Sequence, residues 1–76
     1  MNELIKSKVP ISEHLAKKWS EAVSVSVQRR KESGQSQQDI ADILEVDRRY
    51  IIRLEKGELL TNLGDQYFAL FGVSWL

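Results

Sequence analysis

From Ser12 onward, polar residues that start helices and glycines that stop them cut the chain into short segments, and this punctuation leaves room for little but a bundle of short helices. Ser12, Ser36 and Asp47 each carry a side-chain oxygen able to accept a free N–H at a helix start, and Gly34, Gly57 and Gly72 suit the turn that ends one. Ile11, Leu15, Trp19, Val23 and Val27 recur every fourth position, a slowly drifting apolar stripe that predicts one long helix to about Ser33. Within it, Ala22 to Val27 also alternates as a strand does, with β-branched residues on every second position. A lone strand would leave its ladder unpaired, so helix is the consistent reading. A second helix is expected over 37–44, with Ile40, Ala41 and Leu44 on one face. A turn follows at Glu45-Val46-Asp47, then a third helix capped by Asp47 and running to about Glu55. Leu63, Tyr67, Leu70 and Phe71 place a fourth from Asn62 to Phe71. The expected fold class is all-α, a compact arrangement of four to five helices over residues 12–76, preceded by a short basic arm over 1–11 that carries Lys6 and Lys8.

A 76-residue chain holds one domain and buries only about 60% of its unfolded surface, which disfavours a roomy enzyme cleft. With no cysteine and one histidine it can build neither a disulfide framework nor a thiolate or imidazole metal site, and its carboxylates show no sign of convergence. No enzymatic activity and no cofactor are expected. No apolar run reaches the roughly 20 residues needed to cross a bilayer, and the N-terminus lacks the pattern of a signal peptide, so a cytoplasmic location without membrane contact is expected. Net charge is zero, which gives a nucleic-acid-binding reading no support by itself. The distribution is more telling: from Gln28 to Gly57 seven basic residues face six acidic ones, a difference of +1, and the arginines are clustered.

Two short helices joined by a tight turn can cross steeply, so that the second lies in a groove of duplex DNA while the first braces against the backbone. Arg48, Arg49 and Arg53 occupy the first, second and sixth positions of that second helix, and a guanidinium fork matches guanine O6 and N7 or a phosphate. The run Gln35-Ser36-Gln37-Gln38-Asp39-Ile40-Ala41, followed by Val46-Asp47-Arg48-Arg49-Tyr50-Ile51 and Leu54-Glu55-Lys56-Gly57, resembles the Cro/CI (XRE) family of helix-turn-helix proteins. The resemblance implies a lambda-repressor-like DNA-binding fold in which Arg48, Arg49 and Arg53 read bases. Gln37 would bond a phosphate or Arg48, and Lys56 would contact phosphate, as would Lys6 and Lys8 on the arm. It further implies that Arg30 pairs with Glu55 in a structural salt bridge. Two positions depart from the family pattern. Glu45 stands where a turn glycine is usual, at a cost of about 1 kcal/mol if that residue is left-handed, and Gln35 replaces a buried leucine.

The large aromatic residues Trp19, Tyr67, Phe68, Phe71 and Trp75 are expected to supply most of the core. A ten-residue helix is not expected to turn both Tyr67 and Phe68 inward, so Phe68, Trp75 and Leu76 are candidates for an exposed dimer surface. The expected partners are double-stranded DNA and a second copy of the chain, with a further protein partner open through the aromatic C-terminus. The function so implied is that of a sequence-specific transcriptional regulator, a repressor in the first instance. An antitoxin or restriction-modification controller of the same fold is one alternative, and a protein-interaction module that has lost DNA binding is another.

Overall fold

The computed structural model describes residues 12–76, and the arm with Lys6 and Lys8 lies outside them. Four helices follow in order: α1 (Glu13–Glu32), α2 (Gln37–Leu44), α3 (Arg48–Glu55) and α4 (Thr61–Leu70). No strand occurs among the described residues, and no helix there is long and apolar enough to cross a membrane. The alternating stretch Ala22 to Val27 is helical, inside α1.

Three of the starts use the expected caps. Ser12 Oγ accepts from the Leu15 N–H at 3.1 Å. Ser36 Oγ accepts from the Asp39 N–H at 3.0 Å while the Asp39 carboxylate accepts from the Ser36 N–H at 2.8 Å, a reciprocal box that satisfies two otherwise free donors. Asp47 accepts from the Arg49 N–H at 2.9 Å. α4 begins at Leu60 with no side-chain cap, so its start is set by packing.

All four helices end in the same paired hydrogen bonds, in which a residue just past the last turn is left-handed and the next N–H reaches back to the carbonyl five residues earlier. Gly34, Gly57 and Gly72 hold that position after α1, α3 and α4, and Glu45 holds it after α2 at φ 58° and ψ 46°.

The core gathers Trp19, Ala22 and Val23 from α1, Ile40 and Ala41 from α2, Ile51 and Leu54 from α3, and Tyr67 and Phe68 from α4. Fully burying each large member stabilises the fold by roughly 1.5–3 kcal/mol. The buried stripe of α1 runs through Trp19, Ala22, Val23, Ser26 and Arg30, following the true helical period, so Leu15 and Val27 at the flanks of the four-residue repeat are only half buried.

The expectation that only one of Tyr67 and Phe68 could face inward is overturned: their exposures are 0% and 1%. α4 is covered on two sides, with the Tyr67 ring next to Phe71 and Phe68 meeting the Trp19 indole edge-on at 5.1 Å. Gly64 makes the approach possible, since a Cβ there would stand 2.2 Å from Trp19 Cη2. After Gly72 the chain returns over α1. Trp75 meets Trp19 edge-on at 4.7 Å and donates from Nε1 to Asp65 at 3.1 Å, and Arg29 Nη1 donates to the Phe71 carbonyl at 2.7 Å, tying the end of α4 to α1.

Candidate nucleic-acid interface

The turn between α2 and α3 is only three residues long, and the hydrogen bonds from the Glu45 and Val46 N–H groups to Asp42 and Ala41 fix its direction. α3 then lies with Ile51 and Leu54 wholly buried. At 100° per residue the opposite side of that helix carries Arg49 and Arg53, with Tyr50 beside them, and Arg48 stands at the exposed first turn. All four are exposed, as is Lys56 just beyond the helix end. Burial of one face of an eight-residue helix thus dictates which residues the other face presents.

The orientation of α3 is locked at its C-terminal end by a polar knot on Glu55. Arg30 grips the carboxylate with two bonds, Nε to Oε2 at 2.7 Å and Nη2 to Oε1 at 3.1 Å, and gives Nη1 to the Gln35 carbonyl at 2.9 Å. The Tyr67 hydroxyl donates to Oε2, and Gln37 Nε2 donates to Oε1 at 2.9 Å. The two charged side chains are 9% and 8% exposed, so the pair is buried, and it persists because every oxygen of the carboxylate is met. Burial alone would push the Glu55 carboxyl up, but hydrogen bonds from Arg30, Tyr67 and Gln37 outweigh it and hold the group below the usual carboxylate range. The Glu55 hydrogen bond raises Arg30, and burial followed by the neighbouring carboxylate raises the Tyr67 phenol. The pair is ionised and the phenol neutral across the physiological range.

The expected Arg30–Glu55 bridge is therefore present in this geometry. The Gln37 amide NH2 is directed to Glu55 and not to Arg48, which makes it the third side chain to donate to that carboxylate. Gln35, in place of an apolar residue, stays partly exposed, and its side-chain oxygen lies 3.0 Å from the Ser33 hydroxyl, which also donates to the Arg30 carbonyl at 2.8 Å.

On the outward face, two of the three arginines are held by neighbouring carboxylates. Arg49 Nε donates to Asp47 Oδ1 at 3.1 Å with its side chain 77% exposed. Arg53 is gripped twice by Glu58, Nε to Oε1 at 2.8 Å and Nη2 to Oε2, and its guanidinium carbon lies 5.5 Å from the centre of the Tyr50 ring. The backbone and side chain of Arg49 lower the Asp47 carboxyl, Arg53 lowers that of Glu58, and Glu58 in turn raises Arg53. Arg48 makes no side-chain hydrogen bond among the described residues.

Sequence reasoning missed Glu58, which follows the turn glycine and carries no helical spacing signal relative to Arg53, and it gave no site role to Tyr67 or Tyr50. The dimer surface needs correction: Phe68 belongs to the core, Trp75 is half buried against Trp19, and Leu76 alone of the three stands out, at 78% exposure. No group of histidine, cysteine and carboxylate side chains suited to hold a metal occurs among the described residues. Searches against protein-family models, curated proteins and solved structures return no match to this chain.

Proposed function

We propose that the protein binds double-stranded DNA sequence-specifically, with α3 lying in the major groove and α2 braced across the backbone, and that it acts as a transcriptional regulator by occluding a promoter. The observation that carries this reading is the division of α3 into two faces: one wholly buried and anchored through Glu55, the other offering Arg48, Arg49, Tyr50 and Arg53 side by side. Such a helix has a fixed orientation and a donor-rich surface, which is what reading base edges requires. Lys56, at the end of α3, is placed for a phosphate, and Lys6 and Lys8 are proposed to add backbone contacts from the arm. Binding as a homodimer would set two half-sites about one helical turn, roughly 34 Å, apart. Such a regulator would work where its operator lies, in the cytoplasm or on the nucleoid. An antitoxin or restriction-modification controller would use the same face.

Selection of bound duplexes from a random pool tests the proposal. A palindromic consensus supports both the function and the dimer, and the absence of any enrichment overturns it. Affinity for the selected site should fall with salt in proportion to the few phosphates contacted. A second reading, a protein-binding module, is favoured by one observation: Val25 and Leu76 are exposed beside the half-buried Trp75. Association through that surface would respond little to salt and would be lost in Leu76→Asp.

A further inference from the structure

We infer that Glu58 is a positioning residue for base recognition, and that it aims the free edge of Arg53 at the major-groove edge of a guanine in duplex DNA; this rests on the DNA-binding reading above. A guanidinium has two edges that can present paired donors, the side edge formed by Nε and Nη2 and the end-on edge formed by Nη1 and Nη2. Glu58 occupies the side edge with both carboxylate oxygens. The Tyr50 ring borders the same group at 5.5 Å. Rotation about the terminal bonds of Arg53 would break one or both carboxylate contacts, so the end-on edge is held in one direction while the side chain stays half exposed.

The electrostatics separate a base reader from a backbone anchor. An arginine that binds phosphate does so largely by net charge, and pairing with Glu58 cancels that charge at short range. The directional pair of N–H donors on the end-on edge is left intact. That pair matches O6 and N7 of guanine, both acceptors, and mismatches adenine, whose N6 is itself a donor. Arg49 has one carboxylate bond and Arg48 none among the described residues, so neither is fixed in plane in this way. The three arginines of α3 thus divide: Arg53 is preorganised for one base, while Arg48 and Arg49 adapt to the groove.

The test uses the full chain as wild type, Arg53→Ala, Glu58→Ala, Glu58→Gln and Glu58→Asp, with melting of each variant to check folding, duplex selection, and titration of the selected site with each base at every position. Wild type should favour guanine at one position of each half-site by about 5- to 150-fold, the range of a good bidentate contact. That preference should collapse in Arg53→Ala and equally in Glu58→Ala, and return in part with Glu58→Asp. Replacing that guanine by 7-deazaguanine should weaken wild type and leave both alanine variants unchanged. Affinity for random duplex should instead rise in Glu58→Ala and Glu58→Gln, because a negative charge is removed, and fall in Arg53→Ala. A wild-type consensus whose every position keeps its preference in Glu58→Ala would overturn the assignment while leaving DNA binding in place. Wild type that selects no duplex at all would remove both.

Discussion

Glu45 sits at positive φ where the ends of the other three helices use glycine, and the reason for the penalty is local: its Cβ crowds the following carbonyl. Glu45→Gly should stabilise the fold by about 1 kcal/mol after allowing for the added freedom of the unfolded chain, seen as a higher urea midpoint at unchanged slope. In the sequence, Glu45 stands out only through the resemblance to the helix-turn-helix family, in which glycine is usual at that turn. Arg30 behaves differently. Arg30→Ala would strand the Glu55 carboxylate in a buried site and should destabilise by about 3–5 kcal/mol, close to the whole stability of a domain this size. Arg30→Met combined with Glu55→Gln removes both charges and should recover much of that loss, measured by chemical denaturation of the single and double variants.

At the scale of elements, α4 is the segment whose placement depends most on tertiary structure. Gly64 lies in its interior, where alanine would ordinarily raise helix stability by about 1 kcal/mol. The Trp19 ring leaves no space for the added methyl, and indole and helix must separate, so Gly64→Ala should instead destabilise by roughly 1–3 kcal/mol, with a shift in Trp19 fluorescence as the readout. The bounds of α1, α2 and α3 were legible in the sequence because caps and left-handed stops act within a few residues. The burial of both Tyr67 and Phe68 was not, since it depends on Gly64 meeting Trp19, 45 positions earlier in the chain, across the core, a contact that local periodicity does not record. The same limit applies to the candidate site. Its arginines could be named from their position on α3, whereas the grip of Glu58 on Arg53 and of Gln37 on Glu55 depends on how the chain turns after Gly57 and how α2 crosses α3.

For the molecule as a whole, the Glu55 knot sets the response to pH. The folded-state pKa of Glu55 lies below its unfolded value near 4.3, so its stabilising contribution is fully present above about pH 5 and is lost as pH falls through the folded value. Tyr67 has the opposite sign: its folded pKa is raised, and stability should fall once the pH exceeds about 10, where the unfolded phenol ionises. Melting temperature should therefore be flat from about pH 5 to 9 and drop on both sides, with the acid limb shallower in Glu55→Gln. The same carboxylate is touched by Arg30 of α1, Gln37 of α2 and Tyr67 of α4 while belonging to α3. No helix can leave without breaking a bond at that one point, which makes the four a single cooperative unit. Amide protons in the centre of α3 should then exchange only through global opening, with protection equal to that of Trp19 and Tyr67 in the core. If α3 binds DNA as proposed, so tightly coupled a helix would meet the duplex already ordered, and association there would carry little entropic penalty for the backbone.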